Sequence, residues 1–129
     1  MEVRGIKSYV LRSGRMSVAQ KRCYDKLSPQ YCISAEEKIA DYCNVFGNSN
    51  PVIAEIGFGS GSAVAGLAQQ NPGINYLGIE VFKAGIGHLL WEIEQRNLAN
   101  IRIIEGDAAG IVCNILPPQM AGGFHIFFP

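Results

Sequence analysis

The chain has 129 residues, with 15 glycines, 6 prolines, 48% hydrophobic residues and 11 charges of each sign. That length holds one modest hydrophobic core and is too short for two comfortable domains. The composition excludes a charge-rich disordered chain and a collagen-like repeat, and no apolar run approaches the roughly 18–20 residues that span a bilayer.

The neutral total hides an asymmetry. Residues 1–26 carry seven basic residues against two acidic, and the remainder carries four against nine. A basic arm ahead of an acidic body steers toward a phosphate backbone, although a solvated tail has the same composition. Tyr9 and Tyr24 lie among the basic residues and are placed to stack on bases. The start, Met1-Glu2-Val3-Arg4-Gly5, has no apolar signal-peptide region, which makes the cytoplasm the expected location. The four cysteines form no close pair and His88 and His125 lie far apart, so no metal site is expected and the thiols read as free.

Residues 1–33 read as a basic N-terminal arm, irregular as far as residue 18 and with a helical turn or two over 18–27. Ser34-Ala35-Glu36-Glu37 resembles a capping box and opens a helix. In it Ile39, Tyr42, Cys43 and Phe46 recur at helical spacing, and Gly47 stops it. Val52-Ile53-Ala54-Glu55-Ile56 is a short apolar strand leading into Gly57-Phe58-Gly59-Ser60-Gly61. A helix over 62–70 with Val64, Leu67 and Ala68 on one face follows, ended by Asn71-Pro72-Gly73. A second strand is predicted over 75–80, then a helix over 83–96 striped by Ile86, Leu89, Leu90 and Ile93, then a third strand over 101–105. After a weak helical stretch over 109–116, a fourth strand covers 123–128. His88, near the stripe, reads as a packing residue, as does His125.

Strands of five or six residues alternating with helices predict parallel βαβ units, and their near-continuous apolar character fits a sheet covered on both faces. This α/β domain occupies 34–129. The apolar strand at its end stops at Pro129 with no cover for its outer edge. We therefore expect self-association through 124–128 and a chain that is a piece of a longer one.

The strongest local signal is the glycine loop at a strand-to-helix junction. Alternate glycines let a backbone turn sharply and approach a ligand closely. The dinucleotide pattern wants glycines at first, third and sixth positions, but here the sixth place is Ser62 and the third glycine comes early, at Gly61. No Gly-Lys-Ser or Gly-Lys-Thr follows, which excludes a P-loop, and no arginine cluster near the loop awaits a pyrophosphate. A nucleoside ligand without phosphates fits better. Glu80, 23 residues after Gly57, ends the second strand where a carboxylate accepts from both ribose hydroxyls. Asp107 follows the third strand and is suited to an adenine amine. With Glu55 they are expected to gather at the carboxyl ends of the strands. Such a surplus of carboxylates favours a cationic ligand, and S-adenosylmethionine is one.

The chain resembles the bacterial tRNA (guanine-N7-)-methyltransferases. The likeness runs through Tyr9-Val10-Leu11-Arg12-Ser13-Gly14-Arg15-Met16-Ser17 with Gln20, Glu55 to Gly61, Tyr76-Leu77-Gly78-Ile79-Glu80-Val81, Asn97-Leu98-Ala99-Asn100-Ile101, Gly106-Asp107-Ala108 and Phe127-Phe128-Pro129. It implies a Rossmann-like class I S-adenosylmethionine-dependent methyltransferase fold, with the first four parallel strands in the order 3-2-1-4. It implies cofactor contacts from Glu55, Gly57, Phe58, Gly59, Gly61, Glu80, Val81, Asp107 and Ala108, and a basic arm that helps hold tRNA. Arg12 and Arg15, and after them Lys7, are the candidates for RNA contact, the two arginines alternatively for closing over the cofactor. In the family, Phe-Phe-Pro is followed by an Asp-Pro-Trp segment whose aspartate contributes to the cofactor and guanine site. That aspartate is expected just after Pro129, so no catalytic residue is assigned within the chain. A non-catalytic nucleoside- or RNA-binding module is the alternative, and a dinucleotide oxidoreductase a distant third.

Overall fold

Short β-branched runs and amphipathic stretches alternate along the computed structural model as the periodicity predicts. The structure describes residues 15–36, 39, 41–107 and 110–111, and the backbone of 124–126. In chain order the elements are α1 (Val18–Tyr31), β1 (Cys32–Ile33), α2 (Tyr42–Phe46), β2 (Val52–Ile56), α3 (Ser62–Gln70), β3 (Asn75–Glu80), α4 (Lys83–Arg96), β4 (Ile101–Glu105) and β5 (Phe124–Ile126).

The strands form one sheet in the order β1-β4-β3-β2-β5, and every neighbouring pair is parallel. The run β4-β3-β2-β5 is the expected 3-2-1-4 order, and β1 adds an edge strand beside β4. Glu55 pairs with Gly78 and Glu80 with Glu105, so the strands end nearly level at their carboxyl termini. All six residues of the central β3 are buried. Alternation then divides the core between the two faces. Tyr76, Ile101 and Ile103 meet the α4 stripe of Ile86, Leu89, Leu90 and Ile93, together with Val64 and Ala68 of α3. Val52, Leu77, Ile79 and Ile104 meet Ile39, Phe46 and Ile111 on the other side.

Two expectations differ from the structure. The division at residue 33 does not separate an arm from a domain, because α1 lies on α4 and β1 pairs with β4. The contact is close: a Cβ at Gly87 would stand 2.9 Å from Met16 Sδ and 3.1 Å from the Gln20 carbonyl oxygen. Arg22 adds a bidentate ion pair to Glu94 of α4, with Nη2 at 2.7 Å. The second difference is the helix expected from Ser34. Ser34 Oγ accepts from the Glu36 N–H at 3.2 Å in a turn, and Glu37 lies outside the described residues. The helix begins at Tyr42, capped by Asp41, whose Oδ1 accepts from the Cys43 N–H at 2.9 Å. Among the described residues no helix is long and apolar enough to cross a membrane.

Candidate functional site

The loop between β2 and α3 takes its shape from three left-handed residues, Gly57, Gly59 and Gly61, with φ of 69°, 66° and 80°. Residues with a Cβ rarely adopt that region, so the alternate spacing of glycine is a backbone requirement. The Gly57 N–H donates to the Ile79 carbonyl at 2.8 Å, and the Gly61 N–H donates to the Phe58 carbonyl at 3.0 Å. Between them the Phe58 side chain is buried against β3, where a Cβ at Gly78 would stand 2.8 Å from two ring carbons. The Phe58 ring therefore packs under the turn.

Glu80 closes β3 and is only 4% exposed. Its Oε1 accepts from the Gly59 N–H at 2.7 Å and its Oε2 from the Val81 N–H at 3.0 Å. Burial pushes this carboxyl above the usual range, while N–H groups of Gly59, Val81 and Phe82 pull against that rise by stabilising the anion. Val81 beside it is 40% exposed, one of two large apolar side chains left open among the described residues. The Gly106 N–H donates to the Glu80 carbonyl at 2.9 Å, which brings the segment after β4 alongside. Asp107 there is exposed, and its Oδ2 accepts from the Gly110 N–H at 3.4 Å.

The loop, Glu80 and Asp107 thus share the carboxyl end of adjacent strands, where open α/β sheets bind ligands. Glu55 is fully buried; strand alternation puts it on the face covered by α3 and α4, beneath the loop. Arg15 is exposed just ahead of α1. Lys7, Arg12 and Ala108 lie outside the described residues, as do His125's side chain and Phe127 to Pro129.

Two groups escaped the sequence reading. His88 Nδ1 lies 2.8 Å from the Ser60 carbonyl oxygen. A carbonyl only accepts, so Nδ1 carries the hydrogen and donates. The His88 ring also stands 5.6 Å from that of Trp91. The second group joins three elements: Tyr24 of α1 donates its hydroxyl to Glu105 Oε1, and Lys83 of α4 donates to Glu105 Oε2 at 2.9 Å and to the Tyr24 hydroxyl at 3.0 Å. Beside it opens a cavity of about 490 Å³ whose lining includes Cys32 and Ser34. Burial, with the nearby Glu105 carboxylate, pushes the Cys32 thiol up to about 11. Neither contact leaves a local sequence signal, because His88 and Ser60 are 28 residues apart and Tyr24 and Glu105 81.

Comparison with known proteins agrees with this geometry. A family model described as "Putative methyltransferase" matches residues 49–129, more than half of the chain. The tRNA (guanine-N(7)-)-methyltransferase of Burkholderia lata is 44% identical over 126 residues, covering 98% of this chain and 49% of that protein. The protein of the same name from Francisella tularensis subsp. novicida is 41% identical over 128 residues, 98% of this chain and 56% of its own length. The chain therefore spans about half the length of the curated relatives it matches. A solved structure titled "Structure of an antibiotic related Methyltransferase" superposes with a TM-score of 0.55 at 22% identity, over 71% of this chain and 49% of that one. The fold is the Rossmann-like class I S-adenosylmethionine-dependent methyltransferase fold. On the match over 49–129, the chain belongs to the methyltransferase family which that family model describes, and along 98% of its length it is similar to tRNA (guanine-N(7)-)-methyltransferases.

Proposed function

We propose that the chain takes part in S-adenosylmethionine-dependent methylation of guanine N7 in tRNA. The observation that carries this reading is the left-handed glycine loop bonded to a buried carboxylate at the end of the next strand, Gly59 to Glu80 at 2.7 Å. It stands in a chain 41–44% identical to proteins named for that reaction.

The residues suit the cofactor. Glu80 has four acceptor sites and faces three main-chain N–H groups, those of Gly59, Val81 and Phe82, so the carboxylate can still take a ribose hydroxyl. Val81 offers an apolar edge to an adenine ring, and Asp107 an acceptor for its amine. Gly57, Gly59 and Gly61 admit the ligand close to the main chain; Ala108 and the main chain of Phe58 are assigned by position. Glu55, fully buried beneath the loop, is likewise assigned by position. When bound, S-adenosylmethionine supplies a methyl group on a positively charged sulfur. Guanine N7 has an in-plane lone pair and no proton to lose, so the protein needs no general base. Its task is to align N7 with the methyl group, and proximity and orientation carry the rate.

Lys7, Arg12 and Arg15 are proposed to hold tRNA phosphates, and the cytoplasm is the proposed location. β5 is proposed to mediate self-association, since among the described residues it pairs on one side only. Concentration-independent sedimentation as a monomer would count against that.

The test of function is transfer of tritiated methyl groups to unmodified tRNA by the whole gene product, with calorimetric titration of the 129-residue chain by S-adenosylhomocysteine and by NAD. Expected are binding of S-adenosylhomocysteine alone and label at a single guanine N7. Binding without transfer leaves the non-catalytic module, and binding of NAD instead overturns the cofactor assignment.

A further inference from the structure

The glycine loop rests on one face of α4. At Gly85 an added Cβ would stand 2.0 Å from the Gly59 carbonyl oxygen, so the helix meets the loop backbone directly. One turn on, His88 Nδ1 donates to the Ser60 carbonyl at 2.8 Å. Next to it, Leu89 packs on Gly61, where an added Cβ would stand 2.6 Å from Leu89 Cβ. Residues 85, 88 and 89 share a helical face through the spacings of three and four. They seat the consecutive loop residues 59, 60 and 61.

Of these contacts only His88 is a directional bond, and it completes a pattern. The peptide between Phe58 and Gly59 is held at both ends, its carbonyl accepting from the Gly61 N–H and its N–H donating to Glu80. The peptide between Ser60 and Gly61 is held at both ends as well. Its N–H donates to the Phe58 carbonyl, and its carbonyl accepts from His88. Without His88 that second peptide keeps one anchor, in a segment whose glycines permit many alternative dihedrals. The imidazole is braced in turn by Trp91 at 5.6 Å.

We propose that His88 is a positioning residue for cofactor binding: it fixes the Ser60–Gly61 peptide and holds the glycine loop in its receptive shape. This rests on the cofactor reading above, and the test separates the two. S-adenosylhomocysteine affinity is measured by calorimetry for the 129-residue chain and for His88→Ala and His88→Asn. Amide hydrogen exchange over residues 57–62 is followed in the same three proteins without ligand. An asparagine amide presents an N–H close to the place of Nδ1, whereas alanine presents none.

Expected are an affinity loss of about tenfold in His88→Ala, the scale of one hydrogen bond, with faster exchange over the loop, and recovery of both to within about threefold in His88→Asn. Equal losses in both variants would overturn the proposal in favour of ring packing on Trp91, and wild-type behaviour of His88→Ala would overturn it outright. Absence of ligand binding by the wild-type chain would remove the cofactor reading alone, because loop exchange still decides whether His88 holds the Ser60 carbonyl.

Discussion

The main-chain N–H of Gly59 donates to Glu80 Oε1 across 2.7 Å, so the side chain best placed to receive a ribose also holds the loop beneath it. Removing the carboxylate should act on ligand and loop together. We predict that Glu80→Ala weakens S-adenosylhomocysteine binding by roughly 1–3 kcal/mol, the scale for losing a charged acceptor. Calorimetric titration measures it, and unchanged affinity would leave Glu80 as a structural clamp only.

The same carboxyl predicts a pH dependence. Burial raises its folded value above 4.5. The neutral acid is thereby favoured in the fold, and this contribution to stability is complete below the unfolded value and lost as pH rises through the folded one. Binding runs the opposite way, because ribose hydroxyls need the anion. Affinity is full above the raised value and falls as the solution is acidified through it, at a pH higher than an ordinary glutamate would require. Glu80→Gln, which cannot titrate, should bind more weakly at neutral pH and lose that acid limb.

Gly85→Ala tests how tightly α4 meets the loop. An alanine inside a helix ordinarily gains up to about 1 kcal/mol over glycine, and Gly85 lies in the first turn of α4. Here its Cβ would stand 2.0 Å from a main-chain oxygen of Gly59, and a main-chain atom cannot swing aside as a side chain can. We predict a net destabilisation of about 1–3 kcal/mol in urea unfolding, with weaker S-adenosylhomocysteine binding. A stabilised variant would show that the loop yields at little cost.

Much of this arrangement was legible in the sequence, and the exceptions have physical causes. Helices α3 and α4 and strand β4 begin and end where periodicity puts them, because each carries a full apolar stripe or run. Helix α1 was only partly visible. Cys23 is its one buried residue, Pro29 lies within it, and its contacts with α4 include ion pairs of Arg22 and Lys26 with Glu94, far off in the sequence. A signal was there: Ser17 and Gln20 form a true capping box, with Ser17 Oγ accepting from the Gln20 N–H at 3.1 Å and Gln20 Oε1 accepting from the Ser17 N–H at 2.9 Å. Ser34 with Glu37 has the same spacing, yet its hydroxyl serves a turn. Spacing alone does not separate the two. The juxtaposition of Gly57, Gly59, Gly61 and Glu80 at one end of the sheet follows from position in a βαβ unit, whereas the bond of His88 to Ser60 depends on a fold that carries α4 back under the loop.

Asn100 holds the far end of the sheet. Its Nδ2 donates toward the carbonyls of Ala68, Asn71 and Ile74 at 3.0, 3.1 and 2.8 Å, tying the end of α3 to the turn before β3. Asn100→Ala strips these carbonyls of a shared donor. We predict a loss of roughly 1–3 kcal/mol in urea unfolding, with Asn100→Asp no better, because a carboxylate brings only acceptors. Loss below a few tenths would mean that water replaces the amide freely.

Arg15 stands where the basic arm joins the folded core. The next residue, Met16, packs its sulfur against Gly87 of α4. Ser17 and Gln20 line a groove with His88 and Trp91, the residues beside the glycine loop. A phosphate held by Arg15 would therefore lie near the cofactor end of the sheet, with its affinity governed by counterion release. We predict that Arg15→Glu lowers tRNA affinity severalfold at low salt and reduces the slope of log affinity against log salt by about 1. S-adenosylhomocysteine affinity should be unchanged; a loss there would instead assign Arg15 to closing over the cofactor. Fluorescence anisotropy with labelled tRNA across a salt series measures the slope. A slope equal to wild type would remove Arg15 from the RNA surface and return it to the solvent.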